Sequence, residues 1–158
     1  MNQILIPNFA PSLKGKLRSF SAGGTSKLAS SIAEFQRLIT FIHLQPAYAE
    51  RIWIRADGDE SGRDAIRAIR DKFKYFDDQT CSCFTKNSFE YYYPSRFESR
   101  VKEVLSINDK AIRRTEKARL LQDAIQWTAD GGNETVKAWD SSAAEPITLL
   151  RSIAATIG

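Results

Sequence analysis

Residues 50–62 read Glu-Arg-Ile-Trp-Ile-Arg-Ala-Asp-Gly-Asp-Glu-Ser-Gly, a short apolar run that leads directly into two carboxylates two positions apart, Asp57 and Asp59. The run from Arg51 to Ala56 predicts a largely buried strand, and Ser61 and Gly62 open a helical pattern. Asp57 and Asp59 therefore fall where a strand ends and the chain turns, which in an open α/β sheet is where ligands bind. Two carboxylates held this close repel each other and raise one pKa, unless a divalent cation between them favours both ionised forms. A hard, oxygen-seeking ion such as Mg²⁺ suits the pair.

The chain has 158 residues, the size of one ordinary domain, and can bury most of a core without disulfides or structural metal. No stretch is apolar for long enough to span a bilayer or to act as a signal peptide, so a soluble, cytoplasmic protein with no membrane partner is expected. The net charge of +4 leans towards an anionic partner, although such an excess also serves solubility. Cys81 and Cys83 are the only cysteines. One residue apart, they are too close for an ordinary disulfide and lack the second pair of a zinc site. Both read as strand residues in a reducing compartment.

Leu17 to Ser21 alternates in polarity and is followed by Ala22-Gly23-Gly24-Thr25. Leu28, Ile32, Phe35 and Ile39 then recur at helical spacing, which predicts strand, tight turn and helix. The acidic turn leads into a second helix with the stripe Ile66, Ile69, Phe73 and Phe76. Arg63, Arg67, Arg70 and Lys74 lie mostly off it and read as a solvated face. Thr80 to Thr85 predicts a third strand. The alternation implies a parallel, Rossmann-like α/β sheet of three or four strands flanked by helices. After Pro94 the pattern is helical: Arg96–Ile107, Asp109–Ala129 ending at Asp130-Gly131-Gly132, Glu134–Trp139, and Ile147–Ile157. Ala118, Leu121 and Ile125 mark a core face. Met1–Phe9 reads as the tail of a helix stopped by Pro7 and entered without a capping signal, which implies missing sequence upstream. His43, near the end of the first clear helix, reads as a capping or core residue.

The Asp-x-Asp-x-Ser-Gly string fails as an EF-hand loop. Its twelfth position is Ala68, where a bidentate Glu is needed, and the preceding segment is β-rich. It also resembles the Asp-x-Asp of haloacid-dehalogenase-like phosphatases. Their pair sits near the N-terminus with Thr or Val two residues on; here that residue is Ser61 and a strand-helix unit comes first.

A third likeness uses more of the chain. Gly23-Gly24, then Asp57-Gly58-Asp59-Glu60-Ser61-Gly62, then Ser88-Phe89-Glu90-Tyr91-Tyr92-Tyr93-Pro94 together resemble the TOPRIM domain of the OLD (overcoming lysogenization defect) family of nucleases. Glu90, Tyr92 and Pro94 match that family's Glu-x-Tyr-x-Pro segment. The resemblance covers roughly residues 3–125, and with the change of pattern after Pro94 the chain is expected to divide into a TOPRIM-like α/β core, 1–94, and a helical region packed on it, 95–158. It implies a Mg²⁺- or Mn²⁺-dependent endonuclease acting on DNA phosphodiesters in phage defence, attached to an ATPase domain or partner chain, with self-association left open. Asp57 and Asp59 would hold the metal. The family's helical Lys matches Lys117 best, with Lys110 as rival, and would stabilise developing phosphate charge. Glu90 would be a further ligand or would order its loop. Tyr91, Tyr92 and Tyr93 could stack on bases, or pack against the sheet as alternate tyrosines at a strand end. TOPRIM domains also carry a catalytic Glu at the end of their first strand. That strand and its Glu are expected to be absent here, since neither Glu34 nor Glu50 matches. The competing expectation is a TOPRIM-like module that binds without catalysing.

Overall fold

The computed structural model describes residues 1–48 and 51–157. In chain order its elements are α1 (Leu5–Phe9), α2 (Thr25–Phe41), α3 (Gln45–Tyr48), β1 (Ile54–Ala56), α4 (Glu60–Lys72), β2 (Cys81–Cys83), α5 (Glu98–Ser106), α6 (Lys110–Ser142) and α7 (Ala144–Ile157). Short 3₁₀ turns lie at Pro11–Leu13, Phe89–Tyr92 and Ser95–Phe97. The chain forms two compact units, Ser19–Ser88 on one side and Met1–Arg18 with Phe89–Gly158 on the other. These units divide at 18/19 and 88/89, whereas the sequence pattern places its division at 94/95. Ile4, Leu5 and Ile6 are buried, and α1 packs on α7, which draws the N-terminus into the helical unit.

In the Ser19–Ser88 unit, β1 and β2 pair in parallel, with Ile54 opposite Cys81 and Ala56 opposite Cys83, and α4 connects them. Ile54 N–H donates to Thr80 O before the ladder and Phe84 N–H to Ala56 O after it. Helix α4 lays Ile66 and Ile69 on the strands, and Ile32 of α2 completes a core with Ile54, Ala56, Phe76 and Cys81. Arg55, between the two buried residues of β1, donates its guanidinium to the carbonyls of Ile54, Gln79 and Thr80 and so braces the approach to β2. Both cysteines lie on β2, unpaired, Cys81 fully buried and Cys83 half-buried.

The sheet has two strands among the described residues, fewer than expected. Leu17 to Ser21 forms no strand. Phe20 is 82% exposed, so the alternation has no apolar face to bury and no ladder to join. His43 has φ of +56° and stands just past the end of α2. Its N–H donates to Thr40 O at 3.1 Å and Leu44 N–H to Ile39 O at 2.8 Å, a Schellman closure, so the capping reading holds and the core reading does not.

In the helical unit, Pro7 sits inside α1 and does not stop it. At the third helical position its missing N–H is one that the first turn leaves unbonded anyway. Asp109 caps α6 by accepting from Ala111 and Ile112 N–H. Gly132, with φ of +56° and ψ of −139°, breaks α6 where the Gly-Gly pair foretold an end. The break is spanned by side chains: Thr135 Oγ1 donates to Gly132 O, and Trp139 Nε1 to Thr128 Oγ1. The core face of α6 runs through Leu120 and Ala124, one position off the expected Leu121 and Ile125, which are half-buried; Ala118 is exposed. The segment Phe89–Tyr92 is a 3₁₀ turn, so the tyrosines do not end a strand. No helix among the described residues is long and apolar enough to cross a membrane.

Candidate functional site at the end of the first strand

The turn after Ala56 is set by two glycines that admit no side chain. A Cβ on Gly62 would run into the carbonyl oxygen of Asp57, and one on Gly58 would meet the carbonyls of Phe84, Thr85 and Lys86. Gly58 N–H donates to Lys86 O at 2.8 Å, locking the turn onto the segment that follows β2. The chain can then enter α4 at once.

Asp59 is the N-cap of α4. Its backbone is extended (φ −77°, ψ 173°), and its Oδ1 accepts the Gly62 N–H at 2.7 Å. The capping carboxylate and Glu60 both complement the positive end of the helix dipole. Asp59 is exposed and Asp57 half-buried. The Arg63 guanidinium folds back and donates to Gly58 O, between the two acids. Beside it, burial pushes the Cys83 thiol above its usual pKa. The Arg63 charge opposes that shift, and the Asp59 and Asp57 charges add to it, so thiol, guanidinium and both carboxylates share one local field. The N-terminal turns of α2 and α4 also meet here, with the hydroxyls of Thr25 and Ser61 2.6 Å apart.

The donors suit a hard divalent ion in part. Mg²⁺ commonly takes one or two protein carboxylates and completes its octahedron with water and substrate phosphate, which Asp57 and Asp59 could support. One oxygen of Asp59 is already engaged by the cap, however. Among the described residues no group of three or more His, Cys, Asp and Glu side chains is arranged to hold a metal. Glu34 lies on α2 and supplies no third carboxylate; Glu50 falls outside the described residues.

Glu90 and Lys117 are brought together in the helical unit. Glu90 lies on the Phe89–Tyr92 turn and Lys117 on α6, and Lys117 Nζ donates to Glu90 Oε2 at 2.9 Å with both side chains mostly shielded. Lys110 is the exposed first residue of α6. Of the tyrosines, Tyr92 is buried and donates to the Glu145 carboxylate. Tyr93 stacks edge-on to Trp139 at 5.3 Å, and burial, then the Glu90 charge, raise its phenol pKa. Tyr91 alone keeps an exposed ring. Two of the three are therefore packing residues, here against helices.

Arg63 is the site residue that polarity patterning obscured, because it reads as one of several cations on a solvated face. Its spacing was the available signal: four residues past the N-cap places it one turn above Asp59, able to reach the turn's carbonyls. The site is thus a parallel strand-helix-strand unit that presents two carboxylates and a guanidinium beyond the first strand. Comparison with protein-family models, curated proteins and solved structures gave no match.

Proposed function

We propose that the chain is a TOPRIM-like domain of the OLD type, a Rossmann-like α/β unit that binds Mg²⁺ or Mn²⁺ through Asp57 and Asp59 and cleaves DNA phosphodiesters. It would act in the cytoplasm with an ATPase, as a domain or a partner chain. The observation that carries this reading is the turn itself: two carboxylates flank a glycine at the end of a parallel strand, with Arg63 bonded between them. A bound divalent ion would supply Lewis-acid polarisation of a phosphoryl oxygen. Asp57 and Asp59 would hold it, and Arg63, bonded to Gly58 O between them, is placed to stabilise a non-bridging phosphate oxygen. That task was expected of Lys117, whose charge is neutralised by Glu90.

Mn²⁺ titration together with nicking of supercoiled plasmid tests the reading. Asp57→Ala should lower metal affinity at least several-fold and abolish nicking. Metal affinity and nicking that both survive Asp57→Ala would overturn it. One observation favours a second reading, a module that binds without cleaving: no third acidic, His or Cys side chain joins the pair among the described residues. Metal-independent DNA retention without nicking would establish that alternative.

A further inference from the structure

Beside the acidic turn lies a groove of about 560 Å³, formed entirely within the Ser19–Ser88 unit. Arg63, Arg67, Arg70 and Lys74 line it, against two acids, Asp71 and Asp78. Its floor is Ile66 and Phe76 with the β2 residues Ser82 and Cys83. The three arginines stand at i, i+4 and i+7 of α4, so they form one row about 10 Å long at 1.5 Å per residue. Arg70 donates to the Asp78 carboxylate, which a phosphate seated there would have to displace. Arg67 pairs with Asp64 at 3.4 Å and Lys74 with Asp71 at 3.3 Å, both exposed, and such pairs contribute little and exchange readily.

We infer that this groove is the track for the phosphate backbone of a DNA strand, which the arginine row of α4 leads to the turn carrying Asp57 and Asp59. The inference deepens the DNA reading above and rests on it. Charge complementarity selects the occupant. The lining carries a surplus of cations, and three of its four cations are arginines, whose planar forks grip phosphate oxygens in pairs. The row also has direction: Arg63, at one end, bonds Gly58 O and shares the field of both aspartates, so a strand seated on Arg67 and Arg70 reaches the acidic turn through it. An acidic peptide is the competing occupant, and it has no need of that turn.

The test is fluorescence anisotropy of the whole chain with a labelled DNA strand in EDTA across a salt series, followed by cleavage assays with Mg²⁺. Arg67 is 73% exposed, so Arg67→Glu should fold normally. It should weaken binding by about threefold to tenfold, independently of sequence, and reduce the slope of log affinity against log salt by about 1. Arg70→Glu should do the same. Arg151→Glu, an exposed charge on α7, should bind as the unaltered chain does. Binding unchanged in both α4 variants overturns the groove and leaves the nuclease reading intact. Binding that depends on Arg67 without any Asp57-dependent cleavage supports the groove and sinks the nuclease reading. Displacement of the strand by polyglutamate at matched charge concentration overturns the choice of DNA.

Discussion

Asp59 and Gly62 are joined by a 2.7 Å hydrogen bond from the glycine N–H to the carboxylate Oδ1, so one of the two proposed metal ligands is also the N-cap of α4. Structural and ligand roles are superimposed on a single side chain, and they can be separated by chemistry. Asparagine caps helices about as well as aspartate but brings no charge to a cation. Asp59→Asn should leave urea unfolding within about 0.5 kcal/mol of the original while weakening Mn²⁺ binding. Asp59→Ala should lose about 1 kcal/mol as well as the metal. If Asp59→Asn binds Mn²⁺ undiminished, Asp59 is a cap and nothing more.

Gly62 makes a second prediction because its neighbour is backbone. A methyl group there meets the Asp57 carbonyl, which cannot rotate away as a side chain would. Gly62→Ala should cost about 1–3 kcal/mol in denaturant unfolding and displace Asp57, so that metal binding falls with stability. A fully stable Gly62→Ala would show that the turn is not clasped as described.

The surroundings of this turn also show what was legible beforehand. Apolar periodicity marked β1, α4 and β2 because each buries a face, and the acidic turn followed from a strand running into a helix. The alternation at Leu17–Ser21 failed for the opposite reason: period two describes a strand only when another strand is there to receive it, and Phe20 faces solvent. The one-residue shift of the α6 core face reflects a helix packed on several neighbours, α5, α7 and the Ser95–Phe97 turn, which local pattern does not reveal. Arg63 was visible as a letter but not as a site residue, because its partner is a backbone carbonyl.

Cys81 predicts how stability depends on pH. Burial raises its thiol from the ordinary 9.0 to about 11, with Arg70 and Arg55 opposing the rise. Below about 9 the thiol is protonated in both the folded and the unfolded chain, and its contribution is fully present. Between about 9 and about 11 the unfolded thiol releases its proton while the folded one keeps it, so unfolding gains and stability falls, by up to about 2–3 kcal/mol. Unfolding free energies measured from pH 8 to 11 should show this decline, and Cys81→Ala should make it shallower. Cys83, raised by burial from the same 9.0, would leave a residual slope in the same window, and Tyr93 and Tyr75, raised by burial from the ordinary 10.0, would add to it above that value. A profile identical in Cys81→Ala would place the lost stability elsewhere.

Lys117 was expected to stabilise phosphate charge and Glu90 to be a further ligand or to order its loop, and their geometry makes a different outcome measurable. The ammonium and carboxylate are 2.9 Å apart, with side chains 32% and 14% exposed, so removing either takes a close opposite charge from the other in a poorly hydrated place. Lys117→Met should therefore lower stability by about 1–3 kcal/mol, and Glu90→Gln by a similar or smaller amount. The double variant should recover part of the loss, since neither charge then remains without its opposite. A structural pair and a catalytic lysine differ in what the double variant does to cleavage. If the pair only fastens the Phe89–Tyr92 turn to α6, nicking per folded molecule should be the same in all three variants once each is assayed well below its melting temperature. If Lys117 contacts the scissile phosphate, nicking should stay abolished in the double variant even where stability returns. The second result would restore Lys117 to the reaction and reduce Arg63 to a strut of the acidic turn.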